Sequence, residues 1–308
     1  MAKIERKERI EGLTIAGIVN NGGYYYTDVE IYQDGRISAW EMEDLNSIKT
    51  RFGSPKLRMM TQLPTGAELS ISGLGSYRIV DANWTHTPPS YCELIAEKVK
   101  QLNPQMANIY YYTEQELALW EQRRCVVFAK SSPFRVVQEL FYETECGERS
   151  YFFMHKEGIN HLVNVVVYKS GQIQVDCPHV NFLLTLDEFK QRAQRGEFFT
   201  ELTEATEIHI GELGVLTFAA DKDGYTELLS DKLEELDVIY EKLNGKDRLQ
   251  RCRDVYYQYL ENTSDYWREE LRKAYLAVPE SLRCYLGDMD SRDSDYVRIL
   301  FTDEKREV

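Results

Sequence analysis

This chain nearly repeats itself, and that constrains its fold more than any other feature. Residues 26–37 (Tyr-Thr-Asp-Val-Glu-Ile-Tyr-Gln-Asp-Gly-Arg-Ile) lie over residues 162–173 (Leu-Val-Asn-Val-Val-Val-Tyr-Lys-Ser-Gly-Gln-Ile) at a spacing of 136. Val29, Ile31, Tyr32, Gly35 and Ile37 meet Val165, Val167, Tyr168, Gly171 and Ile173, and upstream Gly22 falls on Gly158. Both segments alternate apolar and polar residues around a glycine. This is the pattern of a hairpin, with two-residue turns expected at Asp34-Gly35 and Ser170-Gly171. Further on, Leu63, Glu68, Leu69, Ile71, Leu74 and Gly75 match Leu202, Glu207, Ile208, Ile210, Leu213 and Gly214 at a spacing of 139. Three extra loop residues account for the change. The next match sets Tyr91-Cys-Glu-Leu-Ile over Tyr225-Thr-Glu-Leu-Leu. Elements that stay in one order, with drift confined to loops, point to a tandem repeat.

Each copy then turns helical. Ser90 to Glu93 reads as a capping box after Pro88-Pro89, opening a helix that stops at Asn103-Pro104. Thr113 to Glu116 reads as a second box, opening a helix through Leu117, Trp120 and Arg124. In the second copy the stripe Leu228, Leu229, Leu233, Leu236, Ile239, Tyr240 and Leu243 predicts a helix ending at Asn244-Gly245. Another runs through Leu249, Cys252, Tyr256 and Tyr259, and a third passes Trp267 and Leu271 and stops before Pro279. The expected fold class is therefore α+β, a tandem duplication of a small antiparallel sheet or partly open barrel followed by helices. Its units are residues 1–150 and 151–308. The segment Tyr151–His155 fits two places. It resembles Tyr296–Phe301, which would make it the last strand of the first unit, and Ala16–Asn20, which would make it the first strand of the second.

With 308 residues, 43% hydrophobic and 29% charged, the chain has the composition of a globular protein of about two domains. No apolar run approaches the ~18 residues that a membrane helix needs. The first residues mix both charge signs without an apolar stretch, unlike a secretory signal. The six cysteines form no Cys-x-x-Cys pair, so reduced thiols in a cytoplasmic protein are expected. Net charge is −14, and the acidity lies mainly in the second half, with 16 basic and 19 acidic residues before position 146 against 21 and 32 after it. That field opposes nucleic acid and favours a basic partner.

The templates of catalysis are missing from the sequence. It has no Gly-x-Ser-x-Gly, no phosphate-cradling Gly-x-x-x-x-Gly-Lys and no His-Glu-x-x-His, and its five histidines do not recur between copies. No metal or cofactor site is expected. Cys177 with His179 is the one close Cys/His pair and lacks a second half. The densest acidic cluster holds Asp288, Asp290, Asp293 and Asp295, with Glu143, Glu145 and Glu148 lying over its first three acids at a spacing of 145. It is not an EF-hand, since its sixth place is not glycine and Ile299 stands where the bidentate Glu belongs. Solvated turn chemistry is the plain reading of such Asp and Ser residues. Tyrosine is abundant at 21 residues, with a run at Tyr24, Tyr25 and Tyr26 whose alternation turns at least one ring away from the core. Tyrosine suits binding surfaces, giving wide contact area with few rotatable bonds.

The functional expectation is a non-catalytic cytoplasmic interaction protein that binds a basic protein as an inhibitor, immunity-type factor or adaptor. Its surface would use Tyr24, Tyr25, Tyr26, Asp288, Asp290, Asp293 and Asp295. The alternative is a metal-assisted hydrolase or nucleotide-processing enzyme using Asp288, Asp290 and Asp293, which requires those carboxylates to converge.

Overall fold

The computed structural model describes residues 10–123, 132–138, 143–178, 180–220, 225–287 and 293–302. The fold is mixed α+β: a large, mostly antiparallel open sheet carries helices against it and ends in a helical segment. In chain order the first half has β1 (Gly12–Asn20), β2 (Tyr24–Tyr32), β3 (Ile37–Ala39), β4 (Glu41–Glu43), α1 (Ile48–Arg51), β5 (Arg58–Met60), β6 (Glu68–Ile71), β7 (Gly75–Trp84) and α2 (Pro88–Leu102). Two elements follow, α3 (Glu114–Arg123) and β8 (Phe134–Gln138). The second half has β9 (Glu143–Lys156), β10 (Ile159–Tyr168), β11 (Gln172–Cys177), β12 (Val180–Thr185), α4 (Leu186–Gln194), β13 (Phe198–Phe199), β14 (Thr206–Ile210), β15 (Gly214–Ala220) and α5 (Leu229–Leu243). The chain closes with α6 (Arg248–Glu261), α7 (Asp265–Leu276), a 3₁₀ stretch Glu280–Leu286 and α8 (Asp293–Phe301).

The pairing in the two halves corresponds strand by strand. β2 runs against β1 on one side and meets β3 and, in parallel, β6 on the other. β10 does the same with β9, β11 and β14. The registers carry the sequence spacings. Glu30 faces Ser38 as Val166 faces Gln174, and Leu69 faces Tyr77 as Ile208 faces Leu216. The halves join where β7 pairs antiparallel with β15, and there Ile79 faces Phe218, its own counterpart. The segments beyond each strand then cross over. The Thr85 N–H donates to Leu213 O at 3.0 Å, and the Glu227 N–H donates to Leu74 O at 2.8 Å.

Three buried cores result. One lies under α2 and the first half's strands and includes Phe153, Leu216 and Phe218. Another lies between β9–β12, α4 and α5, and a third among the terminal helices.

Several expectations are corrected in detail. The hairpin loops hold three residues, since the Tyr32 N–H donates to Arg36 O and glycine takes the left-handed place at Gly35 and Gly171, each with φ +83°. That is a turn closed by a bulge, which accommodates the strand twist. Helix α2 begins three residues earlier than expected: Thr87 is its N-cap, reciprocally bonded with Ser90, and the prolines fill the first turn, where no N–H is needed. The Thr113–Glu116 box forms as expected, with Thr113 N–H to Glu116 Oε2 at 2.8 Å and Glu116 N–H to Thr113 Oγ1 at 3.3 Å.

Tyr225–Leu228 is not the counterpart of the Tyr91 helix turn, because it precedes α5 and lies along the Leu74–Ser76 turn. Tyr151–His155 pairs with Asn160–Asn164 as Ala16–Asn20 pairs with Tyr24–Asp28, so it stands in the place of β1. Its other suggested relative, Tyr296–Phe301, is helical, with Tyr296, Ile299 and Leu300 buried at helical spacing. β9 runs across residue 150, so the boundary expected there falls inside one strand.

The crossover rests on two glycines. A Cβ at Gly75 (φ +134°) would stand 2.3 Å from Tyr225 O, and one at Gly214 (φ +130°) would stand 2.2 Å from Asn83 O. Gly22 (φ +77°) has open space around it. Gly22→Ala should cost about 1–2 kcal/mol from backbone strain alone. Gly75→Ala and Gly214→Ala should each cost ~3 kcal/mol or more, because rigid backbone must also move. Urea unfolding midpoints measure the difference, and equal losses at all three sites would contradict this account.

Candidate binding cleft

Alternation on β2 sends Val29 and Ile31 into the core under α2 and turns Tyr26, Asp28, Glu30 and Tyr32 towards the second half. Facing them are Arg149 and Tyr151 of β9, Asn164 and Tyr168 of β10, and Asp176 of β11. Of these, Glu30, Tyr32, Arg149, Asn164, Tyr168 and Asp176 line a cleft of about 720 Å³. Tyr32 and Tyr168 hold corresponding positions in the two halves. So do Asp28 and Asn164, and Glu30 and Val166, so at these places the first half carries acids and the second half neutral residues.

Arg149 is the cation that meets the acids of β2. Its Nη1 lies 3.0 Å from Asp28 Oδ2 and 3.8 Å from Glu30 Oε1. The Tyr32 hydroxyl donates to Glu30 Oε2 at 2.6 Å. Asp28 has a side chain only 8% exposed, and its Oδ1 lacks a hydrogen-bond partner among the described residues. Burial pushes its carboxyl above the ordinary range; Arg149 opposes this, with help from the neighbouring Tyr151 and Asn164. Asp176 is also pushed up, first by burial and then by the Glu212 carboxylate, with Arg149 working against both. Burial and Asp28 raise the Tyr151 hydroxyl, so it stays a donor. Glu212 Oε2 accepts from the Ala16 N–H at 3.1 Å and ties the second half to β1.

Two arginines beside the cleft are held in one manner. Arg36 pairs with Asp34 at 2.7 Å and lies over the Tyr110 ring. Arg135 pairs with Glu145 at 2.7 Å and lies 4.3 Å over the Tyr168 ring. A carboxylate with a tyrosine face is thus the local way of seating a guanidinium.

The residues expected from sequence are dispersed. Tyr26 is buried edge-to-face on Tyr151 at 5.3 Å, Tyr25 packs on Trp40 at 5.3 Å, and Tyr24 packs against the first core. Asp288 and Asp290 lie outside the described residues, as does His179. Asp293 opens α8, and Asp295 pairs within that helix with Arg298 at 2.8 Å. Glu145 and Glu148 are engaged separately, by Arg135 and Lys242. Among the described residues no group of three His, Cys, Asp or Glu side chains is placed to hold a metal ion.

Sequence reasoning missed Asp28, Arg149 and Asp176. The signal it could have used was the pair Asp28 and Glu30, charged residues on one face in the middle of an otherwise apolar strand.

Fold and cleft together define a protein of two corresponding half-sheets that share an ionic seam. The chain belongs to the family described as Domain of unknown function (DUF7638), which matches residues 1–106 and 135–247. A second family, Domain of unknown function (DUF7639), matches residues 247–308, the terminal helices. No curated protein and no solved structure matches the chain. Among the described residues no helix is long and apolar enough to cross a membrane.

Arg149→Met leaves Asp28 buried without its cation and should cost about 3 kcal/mol, the low end for a broken buried pair. Adding Asp28→Asn should recover much of that in urea unfolding. Asp176 should also shape the pH profile. A carboxyl raised in the fold lowers stability at neutral pH, and that penalty fades as pH falls through its folded value towards the usual ~4. Asp176→Asn should therefore be at least as stable at neutral pH and gain less stability on acidification across that window. An unchanged profile would count against the burial of this carboxylate.

Proposed function

We propose that this chain is a non-catalytic interaction protein which receives a basic protein partner on the cleft between its halves, acting as an inhibitor, immunity-type factor or adaptor. The observation that carries this reading is Asp176. It is half-buried, Glu212 and Asp28 crowd it electrostatically, and no lysine or arginine pairs with it among the described residues. A guanidinium or ammonium brought by a partner would relieve that crowding, with Tyr32 at the cleft wall offering a ring face. The net charge of −14 would steer such a partner from a distance.

The matching registers support a further reading of the fold, a tandem duplication of a partly open barrel with units 1–150 and 151–308. A cytoplasmic setting goes with this reading, and Cys92 and Cys146 carry thiols rather than disulfides.

The test is calorimetric titration of the intact protein with an arginine-rich peptide and with an acidic peptide of equal length. The basic peptide should bind at low salt, and Glu30→Gln with Asp176→Asn should weaken it about tenfold, a loss of ~1.4 kcal/mol. Asp295→Asn, in α8, should leave binding unchanged. Equal binding by the cleft variant and the parent would overturn the reading.

A further inference from the structure

A second cavity, of about 280 Å³, lies between β9, α5 and the terminal helical segment. At its wall stands Lys232, the fourth residue of α5, with a side chain 1% exposed. Its Nζ donates to Glu235 Oε2 at 2.7 Å and lies 5.8 Å over the Phe152 ring. The other Glu235 oxygen accepts from the Ser150 hydroxyl at 3.1 Å. A protonated lysine has three donors, and among the described residues Glu235 is its one acceptor. The remaining walls include Val238, Ile239, Leu249 and Leu282.

The first half shows what belongs at such a place. Helices α2 and α5 both span 15 residues, and the fourth residue of α2 is Tyr91. Tyr91 is buried, and its hydroxyl donates to Ala16 O at 2.6 Å. Beside it comes a carboxylate from the other half, Glu212, which receives the Ala16 N–H. The residue that corresponds to Glu212 at the spacing of 139 is Gly73. An added Cβ there would stand 2.7 Å from Lys232 Nζ. So where one half sets a tyrosine and an acidic side chain, the other sets a buried ammonium against a bare glycine and opens a cavity.

We propose that this cavity is a binding site for a small organic monocarboxylate with an apolar tail. The ligand carboxylate takes the free donors of Lys232 beside Gly73, and the tail packs on Val238, Ile239, Leu249 and Leu282. Leu249 and Leu282 belong to the segment matched by the second family, so occupancy clamps the terminal helices onto the sheet. This site shares Arg149 with the wall of the cleft but does not rest on the partner reading.

The experiment titrates the intact protein with acetate, isovalerate and phenylacetate, and with isoamyl alcohol as an uncharged counterpart of isovalerate. A carboxylate of this series should bind saturably, raise the melting temperature and slow amide exchange over residues 280–286. Isoamyl alcohol should bind at least about tenfold more weakly than isovalerate, since the anion's charge-assisted bonds are lost. Lys232→Met should abolish binding. Leu282→Trp, which fills the cavity and leaves the lysine in place, should abolish it too while keeping the native circular dichroism. If Lys232→Met fails to fold, Leu282→Trp decides. Absence of binding by all three acids, binding of the alcohol as tight as that of the acid, or full binding by Leu282→Trp would overturn the proposal.

Discussion

The pairing of β7 with β15 is the constraint on which the rest depends. Each half ends its strand order at this ladder, and without it two long edges would expose unpaired amides and carbonyls to other chains. The ladder also brings Tyr77, Phe153 and Phe218 together in a buried aromatic group: the Tyr77 centroid lies 5.2 Å from that of Phe153 and 5.6 Å from that of Phe218. The Tyr77 hydroxyl reaches across to Thr200 O at 2.8 Å, so a buried polar group of one half is satisfied by the other. The segments after β7 and β15 then bond the opposite half's turns, which only glycine at positions 75 and 214 allows. The halves are therefore bound by backbone as much as by side-chain burial, and they should unfold as one cooperative unit.

Once that ladder is formed, the hairpins β1–β2 and β9–β10 must face each other, and the polar face of β2 becomes an interior wall. This explains why Asp28, Glu30 and Tyr32 interrupt an apolar strand. A buried pair such as Asp28 with Arg149 adds little net stability, since desolvation offsets much of the attraction. Its role fits specificity better. A shift of β2 by one residue would turn Asp28 into the apolar core and Val29 into the seam.

Much of this architecture was legible in the sequence because strand alternation and turn glycines are local properties. The hairpins at Gly35 and Gly171 and the β6–β7 and β14–β15 strands occur where spacing placed them, and the stop of α5 at Asn244-Gly245 follows from end chemistry. What was not legible depends on tertiary neighbours. Tyr225-Thr-Glu-Leu-Leu imitates the helix start at Tyr91, yet the Leu74–Ser76 turn captures its backbone first. Tyr296–Phe301 imitates a strand, but burial on one helical face decides it. Asp28 and Arg149 lie 121 residues apart, and no periodicity announces such a meeting.

Corresponding places in the two halves do not carry corresponding chemistry. Asp28 stands opposite in kind to Asn164, Glu30 to Val166, Tyr91 to Lys232, and Glu212 to Gly73. In the cleft Asp28 and Glu30 of β2 meet Arg149 of β9, while Lys232 of α5 stands beside Gly73 where Tyr91 of α2 has Glu212 as its neighbour. A frame with matching registers tolerates this, because the backbone ladders and apolar faces that define it are untouched by exchanges at polar positions. Selection on binding can then act on each place, and the two cavities differ in size and lining although the strands around them run alike.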